Sequence, residues 1–364
     1  MRLKEKIRFA ALSSRVLGKL LIAVNYKQLS SYRSTRWAGN ITFGEEIERV
    51  MKIFLSKEEL QNSALLDKMR VDMIWSYYRF GAVPLEYYLM DFRHFSTKRR
   101  SDFLTVRHKD LVMIDKVGRG PMWDMLEDKN LFYQKFKRFF KRDVVLFNST
   151  CTIEDFSAFC EKHCRFIAKP VNGQCGRGVE VINVKDFNNI HDIFTYIKAK
   201  NVNYIIEELI IQDERMAYWN ETSVNTIRIP SFMNSSGFHI LKPVLRTGRK
   251  GAIIDNAGGG GIFSVVDEKT GILLTDGCDE IGRFFKEHPD SHHKYIGWQM
   301  PEWDELLKTV EEIHRTIPDY PYVGWDLALS RDKGWVLIEG NWGQFVSEFA
   351  DKEGIKKKFD SMFD

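Results

Sequence analysis

The sequence predicts an α+β protein in which a mostly helical N-terminal extension precedes a region of mixed helices and antiparallel strands. Between Phe43 and about Leu89 the apolar residues recur with a helical period, and Ser56 followed by Glu59 is typical of a capping box. Near the C-terminus, residues 323–343 alternate between apolar and polar types around a short turn, which indicates a β-hairpin. Helical periodicity early in the chain and strand periodicity late in it thus define the predicted fold class.

Length and composition fit a chain of two or three lobes, with 364 residues of which 44% are hydrophobic and 13% aromatic. The formal net charge of +4 is small for this length, so we expect no nucleic-acid partner. Cys160 and Cys164 flank His163, but no second pair lies at zinc spacing, so ordinary thiols are the preferred interpretation. An odd, scattered set of cysteines fits a reducing cytoplasm. The set is Cys151, Cys160, Cys164, Cys175 and Cys278.

Residues 1–37 form a basic segment, with nine Lys or Arg and one acidic residue, Glu5. Apolar residues between Ile7 and Val24 fall on one broad face of a helix. Such a helix suits an anionic membrane surface, and the alternative is a helix that packs on the body with its basic side in water. No apolar run is long enough to span a bilayer and no signal cleavage site follows. We therefore expect a cytoplasmic protein, with peripheral contact at the inner face of the membrane left open.

The first part of the mixed region alternates capped helices with short strands. Asp128 caps a helix that begins at Lys129, and Thr152 caps a second helix. Strands are predicted near residues 144–146, 166–170, 179–182 and 203–210. Lys169 ends the second of these strands, directly before a loop that contains Gly173, Gly176 and Gly178. Backbone N–H groups of such a loop can surround phosphate oxygens, although a P-loop would end in Gly-Lys-Ser/Thr and lead into a helix.

Further strands are predicted near residues 223–229 and 239–246. Between them and the hairpin, Asn256 precedes four consecutive glycines, 258–261, which suggest a loop shaped around a ligand or else a flexible connector. The segment that begins at Cys278 is predicted to be helical at first and then to form a polar solvent loop containing His288, His292 and His293. An amphipathic helix is predicted over Trp303–Ile317.

The hairpin carries the strongest indication of chemistry. If residues 331–334 form the loop without a bulge, Ser330 lies opposite Trp335, and Asp326 lies opposite Glu339. Asn341 then follows two residues along the same face. Like charges that face each other destabilise a sheet, so a cation is expected between them, and hard oxygen ligands suit Mg²⁺. The alternative is a solvated polar face, but the apolar neighbours Ala328 and Leu337 favour a covered one.

Taken in order, these motifs resemble the ATP-grasp superfamily. Its sugar-transfer-associated branch is resembled from about Met113 to the C-terminus, in the segments 128–130, 223–228, 255–261, 324–326 and 338–341. The resemblance implies two α+β lobes that clasp ATP. It divides the chain into a helical extension (1–112), a first lobe with the glycine flap (113–210) and a second lobe with the metal-binding hairpin (211–364).

The resemblance also implies roles for individual residues. ATP phosphates would be contacted by Lys129 and Lys169 and covered by the loop with Gly173, Gly176 and Gly178. The adenine and ribose would be held by Glu207, Glu208, Leu209, Ile210 and Glu214. Two Mg²⁺ ions would be bound by Asp326, Glu339 and Asn341. Arg228 and Arg246 would face the transferred phosphoryl group, and Asn256 would line the acceptor side. Gly324 stands where some ligases of the superfamily carry an arginine.

The implied activity is ATP-dependent ligation of a carboxylate to an amine through an acyl phosphate, with release of ADP. The substrate would be a small-molecule or lipid-linked sugar in the synthesis of a cell-surface polysaccharide. A kinase that phosphorylates a sugar hydroxyl on the same fold is one alternative, and a nucleotide-binding module without catalysis is another. Ligation of this kind needs no side-chain nucleophile, which agrees with a sequence that lacks a Ser-His or Cys-His signature.

Overall fold

The computed structural model of the protein describes residues 14–31, 41–118, 120–172, 178–251, 260–342 and 348–363. By their internal contacts the residues divide into two units, the first comprising Met1–Lys116 with Asp351–Asp364 and the second Val117–Ala350. The segment bounds 1–112, 113–210 and 211–364 stay a prediction, and the two units differ from them in grouping the C-terminal tail with the N-terminal residues. Within the described ranges, no helix is both long enough and apolar enough to cross a bilayer.

Helices make up the first unit, as predicted, and are interspersed with strands in the second. The helices are α1 (Arg15–Val24), α2 (Tyr26–Ser30), α3 (Phe43–Phe54), α4 (Lys57–Gln61), α5 (Ser63–Phe80), α6 (Pro84–Leu89), α7 (Thr97–Arg100), α8 (Val106–Lys116), α9 (Pro121–Glu127), α10 (Lys129–Phe140), α11 (Ile153–Lys162), α12 (Ile190–Ala199), α13 (Glu214–Ala217), α14 (Trp303–His314), α15 (Glu348–Asp351) and α16 (Lys356–Ser361), with a 3₁₀ turn at Val184–Asp186. The predicted capping box of Ser56 and Glu59 opens α4.

The strands form two antiparallel sheets in the second unit. They are β1 (Val144–Phe147), β2 (Arg165–Pro170), β3 (Glu180–Asn183), β4 (Tyr204–Glu208), β5 (Thr226–Asn234), β6 (Gly237–Ile240), β7 (Val244–Thr247), β8 (Ile262–Val265), β9 (Gly277–Cys278), β10 (Phe284–Phe285), β11 (Tyr322–Ser330) and β12 (Gly334–Asn341). The smaller sheet has the order β1-β4-β2-β3. The larger sheet has the order β10-β9-β8-β7-β5-β11-β12, with β6 paired to β5. Helices and antiparallel sheets together confirm the α+β class.

The register of the β11–β12 hairpin corrects one prediction. Ser330 pairs with Gly334 rather than with Trp335, so the loop is one residue shorter than expected. A β-bulge then shifts the register between Asp326 and Leu327, and Ile338 is the extra residue on β12. The shorter loop alone would pair Asp326 with Ile338. Because the bulge shifts the register by one residue, Asp326 pairs with Glu339 as predicted.

A second correction concerns the segment after Cys278, which is extended rather than helical. β9 and β10 pair as a narrow hairpin, with Phe284 opposite Cys278. The side chain of Asp279 accepts hydrogen bonds from the backbone N–H groups of Ile281 and Arg283, at 3.1 and 2.9 Å, which closes the turn between the strands. Gly282 adopts a φ of +75°, a conformation that a helix does not contain.

A buried hydrogen-bond chain fixes strand β11 on helix α14. His314 contacts the carbonyl oxygen of Tyr320 through Nε2, at 2.7 Å, so Nε2 must carry the proton and donate. Its Nδ1 is then an acceptor for the Ser231 hydroxyl at 2.7 Å, and that hydroxyl accepts from Trp325 Nε1 at 2.8 Å. Trp325 is fully buried and directly precedes Asp326, so this neutral chain helps to hold the carboxylate-bearing strand.

Acid should therefore weaken the fold through His314. Burial lowers the pKa of His314 to about 4, against an ordinary value of 6.5. Because the folded-state pKa lies below the unfolded one, the stabilisation is complete above pH 6.5 and is lost as the pH falls towards 4. Between pH 7 and pH 4, we expect the free energy of unfolding, measured in urea, to fall by about 3 kcal/mol more for the wild type than for His314→Gln. The exposed His191→Gln serves as the matched control, and parallel curves for the wild type and His314→Gln would contradict the assignment.

Candidate active site

Three charged residues lie side by side across adjacent strands of the larger sheet. Asp326 on β11 pairs with Arg228 on β5 on one side and with Glu339 on β12 on the other. Arg228 donates two hydrogen bonds to Asp326, from Nε and Nη2, both at 2.6 Å. Arg246 on β7 adds a third, from Nη1 at 3.0 Å. The predicted carboxylate pair therefore exists, and both predicted arginines lie against it.

The two carboxyl groups differ in their proton affinity. Burial acts to raise the pKa of Asp326, but Arg228 and Arg246 outweigh it, so the pKa of Asp326 is lowered. For Glu339, burial among protein atoms and then the charge of Asp326 raise the pKa, although 44% of its side-chain surface stays accessible. Arg228 lies 3.8 Å from Glu339 and only partly compensates. Asp326 is thus the firmly ionised member, and Glu339 is the one that more readily takes a proton.

The donor set fits a divalent cation. An ionised carboxylate offers about four acceptor positions, and the arginines use three of those on Asp326. Glu339 adds two oxygens, and Asn341 lies beside it with Nδ2 at 3.3 Å from Glu339 Oε1. Turning the amide of Asn341 by 180° would present its oxygen instead. Oxygen ligands of this kind match Mg²⁺ better than softer metals.

Lys129 lies between this carboxylate pair and a second charged cluster. It is the first residue of α10, which Asp128 caps by accepting from the N–H groups of Asn130 and Leu131 at 2.8 and 3.0 Å. Burial lowers the pKa of Lys129, while Glu339 and Glu207 raise it and Lys169 lowers it further. The ammonium group therefore lies within electrostatic range of carboxylates from both sheets, and its contact with ATP phosphates stays a prediction.

The second cluster is centred on Glu207, which is fully engaged with cations. Arg142 donates to Glu207 Oε2 from Nε at 2.8 Å and from Nη2 at 2.5 Å, and Lys169 Nζ lies 2.9 Å from Oε1. Burial acts to raise the pKa of Glu207, but these two cations lower it to about 2. The carboxylate of Glu207 consequently pairs with protein groups. Both oxygens of this side chain are therefore already paired.

Arg142 is the residue that sequence reasoning missed. Its side chain is 2% exposed, and it also donates from Nη1 to the carbonyl oxygens of Phe140 and Leu337, at 3.1 and 2.7 Å. Leu337 belongs to β12 and Glu207 to β4, so one guanidinium joins the smaller sheet to the metal-site hairpin. Only the position of Arg142 at the end of the basic helix α10 could have suggested it.

The remaining predicted nucleotide residues lie at or beyond the end of β4. Glu208 accepts from the Asp143 N–H at 3.0 Å and from Lys333 Nζ at 2.7 Å. Leu209 and Ile210 are half-buried, and Glu214 is exposed as the first residue of α13. In the chain they lie at the end of β4 or between it and β5, and their nucleotide-binding roles stay a prediction.

The glycine-rich loops are described only in part. Gly173, Gly176 and Asn256 lie outside the described residues. Gly178 has a φ of +74°, and a Cβ added there would stand 2.9 Å from Pro170 Cγ. A residue with a side chain would therefore be both strained and crowded at this position, where the loop rejoins β3.

A second group of potential metal ligands is found among the described residues, made up of Asp143, His163 and Glu208. His163 Nε2 contacts Asp143 at 2.9 Å, and Lys333 pairs with Glu208. These contacts account for the group without an ion. The carboxylate pair of Asp326 and Glu339 fits an ion better, because its charges lie opposite one another on paired strands and Arg228 only partly compensates Glu339.

The clusters around Asp326 and Glu207, taken together with Lys129, carry more positive than negative charge. Their cations are Lys129, Arg142, Lys169, Arg228 and Arg246, and their carboxylates are Glu207, Asp326 and Glu339. Five cations against three carboxylates leave an excess of two positive charges. Such a site favours a polyanionic ligand and can stabilise negative charge that develops during a reaction.

Removing Arg142 tests the role of the Glu207 cluster. Arg142→Met leaves a buried carboxylate with one cation, so we expect the free energy of unfolding to fall by about 3–5 kcal/mol in urea titrations. The double variant Arg142→Met/Glu207→Gln should recover part of the loss, because it removes the uncompensated charge. Lys137→Met on the exposed side of α10 is the matched control and should change stability by less than about 0.5 kcal/mol. If Arg142→Met is as stable as Lys137→Met, the stabilising role of Arg142 is refuted.

Several solved structures resemble this chain at low identity. An L-amino acid ligase from Bacillus licheniformis is 12% identical with a TM-score of 0.39, and the match covers 68% of this chain and 47% of that one. The ATP-grasp ligase PsnB, complexed with a minimal precursor, is 10% identical with a TM-score of 0.41, over 84% of this chain and 75% of that one. A D-alanine-D-alanine ligase from Coxiella burnetii is 7% identical with a TM-score of 0.40, over 66% and 56%.

This chain thus spans about half the length of the Bacillus enzyme. No curated protein matches it. A family model described as "Sugar-transfer associated ATP-grasp" matches residues 113–362. Because that match covers more than half of the 364 residues, the chain belongs to the sugar-transfer associated ATP-grasp family, which confirms the predicted resemblance.

Proposed function

We propose that the protein is an ATP-dependent carboxylate–amine ligase that forms an amide through an acyl phosphate. The observation that carries this proposal is the row of Arg228, Asp326 and Glu339 across three strands. In an ATP-grasp chain, this row would supply oxygen ligands for Mg²⁺ directly beside a cation for the transferred phosphoryl group. The excess of positive charge around it suits ATP, and the carboxylates suit magnesium, with two ions proposed.

The nucleotide would be held by residues of both sheets. Lys129 and Lys169 would contact the phosphates, and the loop that contains Gly173, Gly176 and Gly178 would cover them. Adenine would lie against the backbone from Glu207 to Ile210, because the Glu207 carboxylate is already paired with Arg142 and Lys169. Glu214, exposed on α13, would accept hydrogen bonds from the ribose hydroxyls.

Asp326, Glu339 and Asn341 would hold the metal, which when bound neutralises phosphate charge. In the first step, an oxygen of the substrate carboxylate attacks the γ-phosphorus and the bond to the β-phosphate oxygen breaks, giving ADP and an acyl phosphate. In the second, an amine attacks the acyl carbon, loses a proton and releases inorganic phosphate. Arg228 and Arg246 would stabilise the negative charge that both steps develop.

The substrates are proposed from the family description and from the chemistry of ligation. A sugar acid on a precursor of a cell-surface polysaccharide would supply the carboxylate, and an amino compound would supply the amine. Asn256 and the glycine run after it would line the acceptor side. ATP is available in the cytoplasm, so we propose a cytoplasmic active site. The sugar would be free or lipid-linked, and no nucleic-acid partner is invoked.

The direct test is ADP release by the purified protein with Mg²⁺, ATP and panels of sugar acids and amines. We expect release that needs both a carboxylate and an amine, with one phosphate and one amide formed for each ADP. Asp326→Asn should lower kcat by about 10²–10³-fold, because it removes a metal charge and unbalances two arginines. Asp332→Asn, in the exposed loop of the same hairpin, is the matched control and should retain activity.

The other candidate functions are distinct outcomes of the same assay. Phosphate transferred stably to a sugar hydroxyl, with no requirement for an amine, would identify a kinase. Binding of Mg²⁺ and ATP without turnover on any substrate pair would favour a non-catalytic module. Failure to bind Mg²⁺ and ATP at all, measured by calorimetry, would overturn the proposal.

A further inference from the structure

Helix α1 in the first unit packs on α5 through one narrow side and leaves most of its large apolar residues exposed. Lys19 forms an ion pair with Asp72 of α5 and lies over the ring of Trp75, at 4.9 Å from its centroid. Trp75 Nε1 donates to the carbonyl oxygen of Ser14 at 2.9 Å, directly before the helix. Gly18 and Ile22 are the residues of α1 that are buried. The helix is thus attached to α5 through a narrow stripe that includes its lysine.

The opposite stripe of α1 is apolar and accessible. Its five residues are Val16 (69% exposed), Leu17 (61%), Leu20 (61%), Leu21 (39%) and Val24 (84%). Their spacing of three and four residues places them on one continuous face about 140° wide, centred opposite Gly18 and Ile22. An amphipathic helix at a protein surface normally buries its apolar stripe. Here Gly18, Ile22 and Lys19 form the attached side, so the wider apolar face remains exposed.

The charged residues near this face indicate which kind of partner it fits. Arg15, the first residue of α1, and Lys27, which lies beyond the end of α1 in α2, are exposed. Residues 1–37 as a whole carry nine basic side chains against one acidic one. An exposed apolar stripe in so basic a segment matches a lipid surface with anionic headgroups, where apolar side chains enter the acyl boundary and cations stay at headgroup level. A second copy of this chain would bring the same cations together, which disfavours self-association through this face.

We propose that the apolar face of α1 docks the protein onto an anionic membrane surface. The proposal is independent of the nucleotide chemistry, because it concerns side chains of the first unit that the ligase reaction does not use. Docking would keep the enzyme at a surface where lipid-linked substrates are present. The interaction is peripheral and reversible, since one ten-residue helix supplies the apolar contact.

Vesicle flotation with the full-length protein tests the proposal. We expect binding to vesicles of phosphatidylcholine with phosphatidylglycerol, weak binding to pure phosphatidylcholine, and release by high salt. Leu17→Ser/Leu20→Ser should weaken binding at least about ten-fold. Arg15→Gln and Lys27→Gln should each weaken it about five-fold, on anionic vesicles only.

The matched control is Leu111→Ser/Ile114→Ser, which alters two residues of α8 that are 58% and 50% exposed in the same unit. It should bind vesicles like the wild type. All variants should retain the wild-type circular dichroism spectrum and ATP binding, so that a binding loss is not a folding loss. Three results would overturn the proposal. The first is that the wild type does not bind vesicles, and the second is that Leu17→Ser/Leu20→Ser binds them as well as the wild type does. The third is that the wild type forms a concentration-dependent dimer and does not bind vesicles, and that this double variant does not dimerise.

Discussion

Two carboxylates face each other across the β11–β12 hairpin, and their mutual repulsion sets the arrangement of the site. At an effective dielectric of about 20, two like charges about 4 Å apart repel by about 4 kcal/mol. Asp326 and Glu339 can occupy opposed positions on buried strands because Arg228, on the next strand, supplies an attraction of the same order. The sheet therefore requires a cation at this position whether or not a metal is present.

The hydrophobic core explains why this repulsion does not separate the strands. Along β11 the side chains that alternate with Asp326 are Trp325, Leu327 and Leu329, all buried in the main core of the second unit. Burying large side chains of this type stabilises the fold by about 1.5–3 kcal/mol each. The core side of the hairpin thus offsets the electrostatic cost on its other side. The neutral chain through His314 and Ser231 orients Trp325 without adding another charge.

Local sequence patterns were sufficient to predict the hairpin and the start of helix α10. Contacts between residues far apart in the sequence could not be predicted in this way. Alternation and turn composition predicted the hairpin, and capping chemistry predicted the start of α10 at Lys129. The pairing of Asp326 with Glu339 was correct although the assumed loop was one residue too long, because the bulge at Ile338 compensated for that error. The bulge could not be predicted, because no residue type in β12 indicates one. Arg142 was missed for a similar reason, because its partner Glu207 lies 65 residues away in the sequence.

If a metal binds at Asp326 as proposed, competition for this carboxylate couples its binding to the arginines. Arg228 and Arg246 occupy most of its acceptor positions, so a cation that binds there must share the carboxylate with them. Any weakening of these ion pairs frees guanidinium groups for the oxygen atoms of a bound phosphate. By linkage, a phosphate that attracts the arginines then strengthens the hold of Asp326 on the metal by the same factor. Metal and nucleotide should consequently bind more tightly together than separately. The cause is a single carboxylate shared between the metal and two arginines, which requires no movement of either sheet.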